Sequence, residues 1–174
     1  MDDAKDYLKG LGGWLILVGI GVVINPIRDA FDIFSLYQST FYDGTWQLLT
    51  SEASNYYVPY HGAVSIFYLV ASLLLLFASI YMVTLFFRKH KWFPGLFIGI
   101  SLCWFALLIS SFGITAWVYG DEIVWDRTRV AETTKLLLYL VIWIPYMLLS
   151  KRVKLTFVEP TQERRSSMAL HKIV

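Results

Sequence analysis

Long apolar runs alternate along this chain with short polar connections, and the run lengths set its plan. Residues 63–87, 95–118 and 136–150 contain no Asp, Glu, Lys, Arg or His. A further apolar run, Leu11 to Ile27, holds seventeen residues before Arg28 ends it. Helix rises by 1.5 Å per residue, so about 20 residues cross a ~30 Å hydrocarbon core. The pattern predicts an all-α integral membrane four-helix bundle, with helices over about 11–37, 63–87, 94–119 and 134–150. The first helix is expected to kink near Pro26 and to continue as an amphipathic extension through Phe31–Tyr37. A second kink is expected at Pro145.

The connections differ in character. Residues 38–62 form an aromatic-rich outer loop between the first two helices, with Phe41, Tyr42, Trp46, Tyr56, Tyr57 and Tyr60. Such rings favour the membrane–water interface, half buried with a wet polar edge. A turn is expected at Asp43–Gly44. Residues 120–135 are polar and mixed in charge, and read as helical in their second half. A basic tail begins at Lys151, and its last sixteen residues, 159–174, read as flexible. A cleaved signal peptide is disfavoured, because Asp2, Asp3 and Asp6 accompany Lys5 and Lys9 and no small-x-small site follows the first run.

Composition supports a membrane solvent: 57% of residues are hydrophobic and 16% charged, against roughly 25% charged in soluble domains. The net charge of +2 is too small to suggest nucleic-acid binding. Cys103 is the sole cysteine, so no internal disulfide forms. Placing the N-terminus, the 88–93 turn and the tail on one side collects eleven of the fifteen Lys and Arg residues there. Basic residues accumulate on the cytoplasmic side, so both termini are expected to be cytoplasmic.

Which chemistries does this sequence disfavour? Small multidrug transporters depend on a membrane-embedded glutamate, and the three charge-free runs contain none. Quinone-linked disulfide oxidants need paired cysteines, and four-helix b-type cytochromes need paired histidines within the bundle. His61, His90 and His171 fall at helix ends or in the tail. Arg28 is expected to pair locally with Asp29 and Asp32 at the outer interface, and Lys135 to snorkel. Asp121, Glu122 and Asp126 are hard oxygen ligands, but Arg127 and Arg129 beside them argue against a cation. No catalytic residue, cofactor or metal is expected.

Small residues let helices approach in lipid. The third helix carries Gly95, Gly99, Cys103, Ala106, Ser110 and Gly113 at steps of 4, 4, 3, 4 and 3, all on one face. The second carries Ser65, Ser72 and Ser79 at steps of seven, and the first Gly12 and Gly19. These seams either pack the helices within one chain or turn one face to a membrane-protein partner or a second copy. Gly95-x-x-x-Gly99 is itself a dimerisation pattern. Lys151, Arg152 and Lys154 suit anionic lipid headgroups, membrane lipids being the first expected partner. Asp43, Trp46, Tyr57, Tyr60 and His61 form a candidate outer patch, with an aromatic belt as the plainer reading.

Several stretches together resemble a known family. They are Gly12-Gly-Trp-Leu15, Pro26-Ile-Arg28, Asp43-Gly-Thr-Trp46 with Leu49-Thr50, Phe86-Phe-Arg-Lys89, Trp143-Ile-Pro-Tyr146 and Ser150-Lys-Arg-Val-Lys-Leu-Thr-Phe157. The pattern resembles the YdgK-like bacterial inner-membrane family, a domain of unknown function numbered 2569. The resemblance implies a four-helix inner-membrane protein and carries no catalytic residues. The leading expectation is a non-enzymatic accessory or interaction protein. The alternative is a small oligomeric transporter or pore for a neutral or amphipathic solute, with Ser65, Ser72 and Ser79 lining a path between protomers. A lipid-active enzyme using His61 and Asp43 is a third.

Overall fold

The computed structural model describes residues 12–119 and 127–158. Asp2, Asp3, Lys5, Asp6 and Lys9, the acids Asp121, Glu122 and Asp126, and the 159–174 tail lie outside the described residues.

Among the described residues the structure is all helical. α1 covers Trp14–Phe41, a short α2 Thr45–Thr50, α3 His61–Phe87, α4 Phe93–Tyr119 and α5 Arg127–Leu149. One turn, α6 (Lys151–Val153), then runs into a π-helical turn, Lys154–Val158. The four helices α1, α3, α4 and α5 are long and apolar enough to cross a membrane, and suit a multi-pass membrane protein. Their lengths of 28, 27, 27 and 23 residues correspond to about 35–42 Å. A helix satisfies its backbone internally, which lipid demands.

The helix ends differ from the hydropathy boundaries. α1 runs unbroken through Pro26 to Phe41, and α5 begins seven residues before the expected Thr134, at Arg127. Hydropathy finds the stretch that prefers lipid, whereas the main-chain hydrogen bonds continue past it into polar sequence. In the polar turns of α5, Thr133 Oγ1 donates to the Arg129 carbonyl and Thr134 Oγ1 to that of Val130, both at 2.8 Å. The α3–α4 turn is closed by the His90 and Lys89 amides, which donate to the Leu85 and Phe86 carbonyls at 2.9 and 3.1 Å. Lys89 takes a positive φ of 49° there. Pro94 sits in the first turn of α4, where its missing N–H costs no bond.

α1 packs along α3, α3 along α4 and α4 along α5, while α2 lies across α1 and α3. α1 and α5, which would close the ring, do not pack closely against each other. The core is concentrated at one end. Leu15, Val18, Val22, Met82, Leu85, Phe86, Phe93, Phe97, Met147, Val153 and Phe157 are buried together there. Phe93 stacks on Phe157 with centroids 4.7 Å apart, and Phe86 meets Phe93 edge-on at 5.1 Å. Elsewhere the spanning helices present large apolar side chains outward, among them Ile24, Phe67, Phe77, Leu138 and Val141. A face of that extent would be an association hazard in water and is the lipid-facing surface in a membrane.

The first part of the basic tail, ahead of the residues expected to be flexible, lies against the bundle. Residues 151–158 fold back against the core, with Val153, Leu155, Thr156 and Phe157 buried. Ser150 starts the reversal, its hydroxyl accepting from the Val153 amide at 3.4 Å. The cause is the alternation of charged and apolar side chains. Lys151 and Lys154 stay exposed while Phe157 fills the aromatic cluster.

Candidate functional site

Above the aromatic core the helices separate around a cavity of about 1130 Å³. α1 contributes Asn25, Arg28, Asp29 and Asp32, and α3 contributes His61, Ser65, Ser72 and Ser79. From α4 come Ser101, Trp104 and Leu108, and from α5 Glu132, Lys135 and Tyr139. Met82, Ile100, Leu107 and Ile114 supply apolar wall. The lining runs from His61 to Met82 along α3, about 32 Å of helix. Spread over that length, the volume gives a mean cross-section of about 35 Å². The space is a long narrow slot.

Levels within the slot follow from the contacts beneath it. The Phe86 ring presses on Gly19, where an added Cβ would lie 2.8 Å from the ring, and Phe86 packs on Phe93. Gly19 and Phe93 therefore share a level. Arg28 stands nine residues beyond Gly19 and Trp104 eleven beyond Phe93, about 14 and 17 Å up the bundle. By the same count Asn25, Ser79 and Ser101 stand about 9, 10 and 12 Å up, and Tyr139 touches Phe97 lower down, at 6.0 Å between centroids. Polar groups thus line the slot along much of its length, interleaved with apolar side chains.

Asp29 is buried, with 6% of its surface exposed. Its Oδ1 receives the Arg28 guanidinium at 3.4 Å, and Arg28 also faces Asp32 at 3.8 Å. The expected local ion pair is present. Its place changes: Arg28 is the fifteenth residue of a 28-residue helix, so the cluster stands mid-helix rather than at an outer end. The three charge-free runs thus leave a titratable group buried on the first helix, outside all of them. A carboxylate in such surroundings is costly unless paired.

The seams separate into different fates. Ser72 and Ser79 are buried and line the cavity with Ser65, so this seam faces a space within one chain. Gly19 sits under Phe86 and Gly12 under the Arg152 guanidinium, which makes α1's small residues internal contacts. Gly95, Gly99 and Gly113 meet nothing within 4 Å of an added Cβ, and Cys103 and Ala106 are exposed. Among the described residues that face is not packed within the chain, apart from Ser110, whose hydroxyl lies 3.1 Å from the Tyr68 hydroxyl. α4 instead packs through Phe93, Phe97, Ile100 and Ser101, because its aromatic side is the bulkier one and fills the core.

Of the expected outer patch, His61 alone lines the cavity. Tyr60 stacks on Trp117 at 5.5 Å, Trp46 lies over Gly62, and Asp43 and Tyr57 are exposed. Lys151 and Lys154 are free to meet headgroups, while half-buried Arg152 turns toward Gly12 and Gly13. Two of the stretches behind the family resemblance, Gly12–Leu15 and Ser150–Phe157, therefore meet in space.

A family model described as "Protein of unknown function (DUF2569)" matches residues 8–158. The chain belongs to the DUF2569 family. Comparison with curated proteins and with solved structures gives no match. The span shared with DUF2569 includes every cavity-lining residue and the folded-back segment through Val158.

Sequence reasoning missed Asn25, Ser101, Trp104 and Tyr139. A signal for them exists. Asn25, Asp29, Asp32 and Leu36 follow steps of 4, 3 and 4, and Ser101, Trp104, Leu108, Ser111 and Thr115 steps of 3, 4, 3 and 4. Each is one helical face carrying polar groups through an apolar run. Among the described residues no group of His, Cys, Asp and Glu is placed to hold a metal ion.

Proposed function

We propose that this DUF2569 member is a non-enzymatic binding protein of the bacterial inner membrane that holds an amphipathic molecule between its helices. The observation that carries this reading is the slot itself, lined by apolar side chains interleaved with polar ones from all four spanning helices. Polar side chains in lipid are expensive unless they meet partners. Here they converge on one space wide enough for an extended chain with a polar group. The slot ends at the aromatic core, beside the positively charged α3–α4 turn and Lys151–Lys154. With basic residues inside, both termini are cytoplasmic and the slot lies toward the outer leaflet. Release of the bound molecule to either side would make the protein a carrier. The small-transporter reading of the sequence is thus retained, with its path inside one chain.

The test fills the slot. Ser72→Phe places a ring against the cavity, and purified protein should lose co-extracted lipid-like molecules in native mass spectrometry. Retention equal to the unaltered chain's would refute the site.

A second reading is favoured by the open α4 face. Among the described residues an added Cβ at Gly95, Gly99 or Gly113 meets nothing within 4 Å, so that face suits an accessory role beside another membrane protein or a second copy. Gly99→Leu should then abolish co-purification of the partner while leaving the slot occupied.

A further inference from the structure

The slot's charged side chains stand on α1 and α5, the two helices that do not pack closely against each other. Arg28 and Asp32 lie one turn apart on α1 and keep 68% and 72% of their side-chain surface exposed. Glu132 and Lys135 on α5 are exposed as well, and make no ion pair among the described residues. The charges of Arg28 and Asp29 reach the Tyr139 hydroxyl on α5, so the two walls face each other. Tyr139 meets Phe97, which stands four residues above Phe93. Lys135 and Glu132 precede Tyr139 by four and seven residues on a helix running the other way. They therefore lie about 12 and 17 Å above the level shared by Gly19 and Phe93. Arg28 stands at about 14 Å, and Asp32, thirteen residues beyond Gly19, at about 20 Å. Across the gap, cation thus stands opposite cation, and about 5 Å higher carboxylate stands opposite carboxylate.

Like charges cannot pair across the gap, and charge at this depth is costly without a partner. A group bridging the two walls must carry a negative end at the lower level and a positive end at the upper. We propose that the slot binds a zwitterionic phospholipid with a primary ammonium head, its phosphate between Arg28 and Lys135 and its ammonium between Asp32 and Glu132. This rests on the slot being a ligand site. A phosphate and an ammonium joined by two carbons are separated by four bonds of about 1.5 Å each. At full stretch these span the about 5 Å between the two levels. An outer-leaflet lipid presents the groups in the same order, with its chains toward the membrane centre and its ammonium outermost. Lysine binds phosphate as a point charge, and a primary ammonium offers three N–H donors to the two carboxylates. A trimethylated head carries the same charge with no donor. An anionic head adds negative charge to Asp29, Asp32 and Glu132, which Arg28 and Lys135 already fail to balance.

The experiment offers the full-length protein, in detergent micelles, an equimolar mixture of three phospholipids with the same palmitoyl and oleoyl chains. Their heads are ethanolamine, choline and glycerol, and native mass spectrometry measures what is retained. The unaltered chain should retain the ethanolamine lipid about tenfold better than either other, the lower range for hydrogen bonds to charged groups. Glu132→Gln should remove the preference over choline. Lys135→Gln should weaken ethanolamine and choline lipids alike and keep their ratio. Displacement of the lipid by an equal concentration of glycerophosphoethanolamine would keep the head recognition and overturn the lipid as its source. Equal retention of ethanolamine and choline lipids, or a preference for the glycerol head, overturns the inference and leaves the slot a binding site. Retention of another amphiphile but none of the three does the same, and retention of no amphiphile overturns the slot as well. The comparison of lipids needs no variant, so misfolding of Glu132→Gln does not remove the test.

Discussion

Single residues with the same side chain do opposite work on different helices. Gly19 and Gly99 both lie in small-residue seams, yet an added Cβ meets the Phe86 ring at 2.8 Å in one case and nothing within 4 Å in the other. Gly19→Ala must displace Phe86 from the core it shares with Phe93 and Phe157, an overpacking cost of about 1–3 kcal/mol. Gly99→Ala should hold or raise stability, since alanine is the better helix former by up to about 1 kcal/mol. Thermal unfolding of the two variants in the same detergent checks the pair, and equal shifts would contradict these neighbourhoods. Gly13 poses a backbone question. Its φ of 59° and ψ of −138° lie in a region essentially reserved for glycine. Gly13→Ala should therefore cost about 1–3 kcal/mol whatever room its side chain has. A melting temperature like that of the unaltered chain would contradict it.

Among the elements, the folded-back segment Lys151–Val158 is the least apparent from hydropathy and among the best buried. Phe157 is fully buried and contacts Phe86 and Phe93 within 6.0 and 4.7 Å between centroids. Phe157→Ala should destabilise the bundle by about 3 kcal/mol, the lower end for a buried aromatic because lipid, unlike water, solvates exposed rings. Lys154→Ala, on an exposed position three residues earlier, should leave the melting temperature unchanged. A Phe157→Ala protein as stable as Lys154→Ala would show that the segment does not close the core. The four spans were legible because each is an uninterrupted apolar run of helical length. The 151–158 segment was not, because Val153, Leu155 and Phe157 alternate with Arg152, Lys154 and Thr156 and leave no run for hydropathy to detect. α4 was half legible: its small-residue face is real, but which face turns inward depends on the bulk of Phe93 and Phe97 opposite.

For the whole molecule, the arrangement that matters is a bundle packed at one end and parted at the other. The proposed sidedness predicts cytoplasmic fluorescence from green fluorescent protein fused at either terminus, and alkaline phosphatase activity from a fusion at Ser54 in the α2–α3 loop. An inactive phosphatase there, with dark termini, would invert the protein and open the slot to the cytoplasmic leaflet instead.

Run length by itself determined that the chain has four helices long and apolar enough to cross a membrane, and charge placement set the expected sidedness. Those properties are local: each span's preference for lipid depends on its own residues, whatever its neighbours do. Tertiary structure alone decided which faces meet. It set Asp29 inside rather than at an end, turned the Ser65–Ser72–Ser79 seam onto a cavity, left the Gly95–Gly99 face open, and drew Phe157 into the core. In lipid almost any apolar face can be exposed without penalty, so the inward faces are chosen by shape and by the need of polar groups for one another. Both are relations between distant parts of the chain.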